Sequence, residues 1–177
     1  MTVPTLITLR LILRGFTESD IDLMQQIMAG KDVLRYFPSS DPPERERVAK
    51  MIAGIIRHWE EHGYGLWAIQ SHSSGEWMGR CGLQQIPETG EVEIDFLLGN
   101  PFWGRGFASE ASRASLNFGF EQLMLDQIVG IVHLKNVASQ RVLEKLGMQF
   151  SEKASYFGME VFRYNRARPQ LLHEKVA

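Results

Sequence analysis

The densest chemistry in this sequence lies between residues 91 and 111, EVEIDFLLGNPFWGRGFASEA. Alternation over 91–98 predicts a strand with Val92, Ile94, Phe96 and Leu98 on one face and the carboxylates Glu93 and Asp95 on the other, about 6.6–7 Å apart along the chain. The strand runs into Gly99-Asn100-Pro101 and Gly104-Arg105-Gly106, and a predicted helix rich in small residues follows from Phe107. A strand, a glycine turn and a helix start form an anion cradle. Glycines let successive backbone N–H groups turn inward, the helix dipole favours negative charge, and Arg105 adds a cation. Two common phosphate binders fail on spacing. No G-x-x-x-x-G-K-[ST] occurs, and Gly104-x-Gly106-x-x reaches Ser109 where the dinucleotide fingerprint needs Gly or Ala. The next strand also ends in His133 and Lys135 where that fingerprint needs an acid.

Other reactive types read more blandly. His58 and His62 have helical metal-ligand spacing without an evident third ligand, so no metal site is expected. Cys81 sits in a predicted strand and reads as a buried spectator. Trp59, Trp67 and Trp77 read as core packing. His72 falls in a hairpin loop, and His133, at a strand end, reads as structural, with a place beside a ligand as the alternative.

The positioning elements follow from periodicity. Residues 6–14 (LITLRLILR) read as one strand, Thr17–Asp20 as a helix start, and 44–61 as a helix stopped by Gly63. Runs at 64–70, 76–86 and 91–98, split by Ser-Ser-Gly and Pro-Glu-Thr-Gly, predict antiparallel hairpins. A helix at 107–123, a strand at 127–133, a helix at 136–146 and two strands over 149–164 complete the order. The expected class is mixed α/β (α+β), a mostly antiparallel twisted sheet of about seven strands flanked by about four helices. The chain, 177 residues with 44% hydrophobic and 23% charged, fits a single domain over 1–177 with its core at about 6–167. A net charge of −2 argues against a general nucleic-acid binder, and no apolar run is long enough for a membrane helix. One cysteine and a non-basic N-terminus point to a cytoplasmic location.

The 100–111 string, Asn-Pro-Phe-Trp-Gly-Arg-Gly-Phe-Ala-Ser-Glu-Ala, resembles the GNAT family of acyl-CoA-dependent N-acetyltransferases, whose pyrophosphate motif is [Q/R]-x-x-G-x-[G/A]. It is similar in particular to P-x-[YF]-W-G-[KR]-G-[YF]-A-[TS]-E-A of the branch that acetylates ribosomal-protein N-termini. That branch also carries Trp where Trp103 stands. Asn136–Met148 (NVASQRVLEKLGM) looks like its N-x-x-S-x-R-V-L-E-K-L-G-F, and Thr8–Arg14 (TLRLILR) resembles its T-x-R-L-x-L-R strand. The resemblance implies the GNAT fold, acetyl-CoA as co-substrate and an amine acceptor, either a protein N-terminus or a small amine. No metal, nucleic acid or membrane is implied, and a second copy of the chain is a further candidate partner. It implies that Trp103, Gly104, Arg105, Gly106, Phe107, Ala108 and Ser109 hold the pyrophosphate. It also implies that the backbone of Phe96, Leu97 and Leu98 pairs with pantetheine, that Asn136 and Ser139 meet the cofactor near sulfur, and that Arg141 assists with phosphate.

Amide formation from a thioester needs a neutral amine, an oxyanion stabiliser and an acid for the leaving thiolate. At pH 7.5 roughly a third of α-amines but only about one lysine in a thousand is neutral. Glu93 is the expected base, with the solvent face of its strand as the alternative reading; Asp95 would shape the substrate end or sit in solvent. Many family members place a tyrosine acid seven residues after the Asn, where this chain has Leu143. Ser139 is the expected substitute, Tyr156 and Tyr164 lack the spacing, and Tyr36 and Phe37, with the loop through Pro43, resemble the family's variable substrate lip. The missing tyrosine keeps a catalytically silent CoA-binding or sensor domain as one rival, and a nucleotide-binding protein using residues 104–109 as another.

Overall fold

The computed structural model describes residues 2–169. Two short strands, β1 (Leu6–Ile7) and β2 (Leu11–Arg14), form a tight hairpin. A 3₁₀ turn at Glu18–Asp20 leads into α1 (Ile21–Met28), and α2 spans Arg45–His62. Then come β3 (Leu66–Ser71), β4 (Trp77–Gln85) and β5 (Val92–Leu98). A second 3₁₀ turn, Asn100–Phe102, precedes α3 (Phe107–Glu121). The chain continues through β6 (Gln127–His133), α4 (Val137–Lys145), β7 (Gln149–Tyr156) and β8 (Met159–Ala167).

The strands form one sheet in the order β1-β2-β3-β4-β5-β6-β8-β7, antiparallel except where β5 meets β6. The described residues thus hold eight strands where seven were expected. The predicted strand 6–14 is two, because the Thr8 hydroxyl receives the Leu11 N–H at 3.0 Å and turns the chain back. The domain expected over 1–177 reaches at both ends beyond the described residues.

Helix faces explain the layers. Ile21, Met24 and Met28 of α1, with Val48 and Ile52 of α2, are buried against Leu66, Ala68 and Leu97 on one face of the sheet. On the other face α3 packs Ala111, Leu116 and Phe120, and α4 with its C-cap packs Leu143 and Leu146, over Trp67, Cys81, Leu83, Ile94 and Leu98. The buried small residues Ser112 and Ser115 let α3 approach β4 closely, with Ser112 Oγ 3.4 Å from Cys81 Sγ. Trp59 and Trp67 are in this core, their indoles donating to the Leu66 and Pro4 carbonyls. Trp77 packs on the opposite face.

One irregularity positions the site. β4 and β5 pair without interruption from Gly79↔Leu98 to Gln85↔Val92. β5 and β6, in contrast, are in register only at Glu93↔Val129. Beyond that point the strands part, and the edge of β5 from Ile94 to Leu98 is left facing a gap.

Candidate active site

A cavity of about 820 Å³ runs through this gap. Its first wall is the chain from Phe96 to Ser109. Gly104 and Gly106 hold left-handed backbone, φ +71° and +81°. A Cβ at Gly104 would meet nothing within 4 Å, so the turn is open rather than packed shut. Gly106 caps α3 without a side-chain bond, and Phe107, Ala108 and Ser109 line the cavity. Their first-turn N–H groups are those an α-helix leaves without an internal partner. The glycine turn, the helix start and the unpaired β5 edge fit a diphosphate followed by an amide-bearing arm: N–H groups for the anion, a strand edge for the amides.

Two features brace this wall. The Trp103 indole N–H donates to the Leu98 carbonyl at 2.7 Å, tying the turn to β5. That carbonyl, expected to serve pantetheine, already holds a partner. Trp103 itself stays 47% exposed at the cavity rim. The second brace comes from the β1–β2 turn. Glu110, in the first turn of α3, accepts from Thr8 Oγ1 at 2.7 Å, from the Arg10 backbone N–H at 2.9 Å and from Arg10 Nε at 2.6 Å. Arg10 Nη1 then donates to the Arg105 carbonyl at 3.0 Å, and its guanidinium lies 4.4 Å above the Phe107 ring. Burial raises the Glu110 pKa, but the bonds from Thr8 and Arg10 outweigh it and hold the carboxyl below its ordinary range. Arg105 is the one residue from 103 to 109 that does not line the cavity, and its guanidinium lies 4.9 Å over Phe107.

Asn136, Ser139 and Arg141 stand on the opposite wall, at the start of α4. Asn136 caps the helix, its Oδ1 accepting the Ser139 N–H at 3.2 Å. Leu143, one turn further on, is 2% exposed and fills the space over Gly130 of β6. Tyr156 and Tyr164 do not line the cavity. The Tyr156 hydroxyl donates to Glu91 at 2.9 Å, and Tyr164 is buried in the main core.

The floor holds the two carboxylates. Glu93 lines the cavity and is only 6% exposed, which overturns the solvent-face reading. Gln84, its cross-strand partner, donates Nε2 to Glu93 Oε1 at 2.7 Å. Burial, with the Asp95 carboxylate next, pushes the Glu93 carboxyl up to about 8; the Gln84 bond pulls the other way. Asp95 is not free in solvent either, since it forms an ion pair with Arg80, itself 7% exposed on β4.

The remaining candidates are resolved by position. Burial pushes the Cys81 thiol up to about 11, away from the cavity wall. His58 and His62, both on α2, meet at a tilt with ring centroids 4.4 Å apart and lie against Tyr64, and no group of three His, Cys, Asp or Glu among the described residues could hold a metal. His133, expected to be structural, instead lines the cavity, with the Tyr36 ring stacked on it at 5.2 Å. Tyr36 and Phe37 line the cavity while residues 39–43 of the expected lip do not, and Phe157, Met159 and Val161 of the β7–β8 hairpin complete the wall. Sequence reasoning missed these last three, together with Thr8, Arg10 and Glu110. Thr8, Arg10 and Glu110 lay inside the resembling strings; nothing marked the hairpin.

The comparisons agree with this geometry. A family model described as an acetyltransferase (GNAT) domain matches residues 10–149, and the chain belongs to that family. The uncharacterized N-acetyltransferase p20 of Bacillus licheniformis is 32% identical over 149 residues, 82% of each chain. The crystal structure of an acetyltransferase from Agrobacterium tumefaciens superposes with a TM-score of 0.83 at 28% identity, covering 94% of this chain and 95% of that one. A ribosomal L7/L12 α-N-protein acetyltransferase in complex with coenzyme A shares the fold, with a TM-score of 0.77 at 18% identity over 94% and 98% of the two chains. No described helix is long and apolar enough to cross a membrane.

Proposed function

We propose that this acetyltransferase moves the acetyl group of acetyl-CoA to a primary amine by direct attack in a ternary complex. The observation that carries the reading is continuity. One cavity joins the glycine turn and α3 start to the buried Glu93 through the gap between β5 and β6. The coenzyme A complex of the L7/L12 enzyme, which has the same fold, supports a CoA lying along this path.

In this reading the N–H groups from Gly104 to Ser109 take the diphosphate, with Arg141 on the facing wall. The β5 edge at Phe96 and Leu97 takes the pantetheine amides. The amine nitrogen attacks the thioester carbonyl, the C–S bond breaks, and the amine gives up a proton to Glu93. A base near 8 matches an α-amine of about 7.7–8.0, so proton transfer between them is close to balanced. The departing thiolate takes up the proton that Glu93 received from the amine, relayed through solvent, with the Ser139 hydroxyl as hydrogen-bond donor to the sulfur, because Leu143 offers none. Cys81, buried and held as the thiol, is not placed to carry an acyl intermediate.

Titration calorimetry with coenzyme A and thiol release from acetyl-CoA across an amine panel test this reading. Micromolar-range CoA binding and intersecting initial-rate lines are expected. Absence of CoA binding overturns the site, and parallel lines overturn direct attack.

A further inference from the structure

The half of the cavity beyond Glu93 has its own chemistry. Strand parity defines it. Glu93 is in register with Val129, so Val129, Ile131 and His133 share the Glu93 face of the sheet. Val161 pairs with His133, and Met159 follows on the same face. The loop from α1 to α2 crosses to this face and sets Tyr36 flat on His133. The acceptor half is therefore walled by Ile131, Met159, Val161, Phe157, Tyr36 and Phe37, all of which line the cavity.

The charges on this face are matched. Asp95 is paired with Arg80. Arg163, opposite Ile131, is held by Glu91 at 2.5 Å, and Glu91 also receives the Tyr156 hydroxyl. Glu93 has Gln84. The loop contributes one acid, Asp32, and one base, Arg35. An apolar chamber whose two floor carboxyls, Glu93 and Asp95, already hold Gln84 and Arg80 does not suit a polycation. Several ammonium groups would each lose hydration with only Asp32, on the loop, left among the lining carboxylates to receive them.

We infer that the acceptor is a single amine carried on an apolar or aromatic body, not a polyamine or aminoglycoside. This rests on the acyltransferase reading above and narrows its substrate. The apolar body would lie between the Tyr36 ring and the Met159–Val161 floor, with its amine at Glu93. Two sources share that chemistry: a small arylalkylamine, and a peptide whose free N-terminal residue is apolar.

The test uses the whole protein with acetyl-CoA and four acceptors: phenethylamine, a short peptide beginning with Phe, spermidine and kanamycin. The apolar monoamine or the peptide should exceed both polycations in kcat/KM by at least tenfold, and whichever leads names the source. Phe157→Glu and Met159→Glu should each lower kcat/KM for the apolar acceptor about tenfold and raise it for spermidine, with the KM for acetyl-CoA unchanged. A preference for spermidine or kanamycin in the unmodified protein, or acetylation of a polycation with neither apolar acceptor acetylated, overturns the inference alone, and coenzyme A binding without acetylation of any of the four overturns the transfer reading beneath it. Loss of coenzyme A binding overturns the reading beneath it. Phe157 is exposed at a hairpin tip, so its variant guards against a folding failure at Met159.

Discussion

The two ends of the cavity are built from different materials. The end at Gly104–Ser109 is mainly backbone: left-handed turns, a helix start and a strand edge, braced by Trp103 and by the Arg10–Glu110 contact. The end beyond Glu93 is side chain: rings and aliphatic groups brought from the α1–α2 loop, β6 and the β7–β8 hairpin. A backbone cradle tolerates variation at most of its residues but not at its glycines. A side-chain chamber changes its ligand with each substitution while the fold stays the same. The difference teaches that the donor is a property of the fold and the acceptor a property of this chain.

Four experiments break or sharpen that contrast, the largest effect first. Glu93→Gln, at the junction of the two ends, should lower kcat about 100-fold or more for a lysine-like amine and about tenfold for an α-amine, which is nearer neutrality at assay pH. Equal losses for every acceptor, or none, would remove Glu93 as the base. The same variant has a stability signature. The folded protein keeps on Glu93 a proton that the unfolded chain sheds near 4.5 and the native state only near 8. The native state therefore binds the extra proton between those values, and stability falls as pH rises through that window. Glu93→Gln should flatten the slope and raise Tm most at pH 8 and above, as thermal unfolding at several pH values will show.

Gly106→Val tests the backbone end. A β-branched residue at φ +81° is strained by roughly 1–3 kcal/mol, and relief of that strain swings the α3 N–H groups off the diphosphate. The KM for acetyl-CoA should rise about 10–100-fold in steady-state assays, with acceptor preference retained. A changed acceptor preference would mean the two ends are not separable.

Glu110→Ala removes three accepted hydrogen bonds and frees Arg10 from the turn. The KM for acetyl-CoA should rise about fivefold to tenfold. The KM for S-acetylpantetheine, which lacks the diphosphate, should not move. An equal rise for both donors would show general loosening of α3 instead of a role at the diphosphate turn.

The smallest effect is a shift of pH profile. Gln84 donates to the charged form of Glu93. Gln84→Leu should therefore raise the apparent pKa in kcat/KM by about half to one unit, moving the rising limb to higher pH. The charged groups around Glu93 are Asp95 on its own strand, Arg80 on β4 and Glu88 between β4 and β5, and all remain in this variant.

Local patterns carried most of the fold. Alternation at 92–98 and the bounds of β6 are local facts, and each matches the structure within a residue. The hairpin at Leu6–Arg14 was not legible, because a uniformly apolar run hides a turn that depends on the Thr8 hydroxyl. Within the site, the glycine turn stood out because φ above zero nearly demands glycine. The side chain of Arg105 did not, since its position over Phe107 depends on a ring that the helix start presents.

By itself the sequence determined most of the sheet-and-helix order, the glycine turn at 104–106 and the carboxylate at 93, because each is written in spacing along one short segment. Only the tertiary structure decided that Glu93 is buried with Gln84, that Asp95 is neutralised by Arg80, and that Tyr36 meets His133 over an apolar floor. Those contacts join residues far apart in the chain. Burial, which sets both the proton affinity of Glu93 and the polarity of the chamber, exists only once the strands have paired and parted.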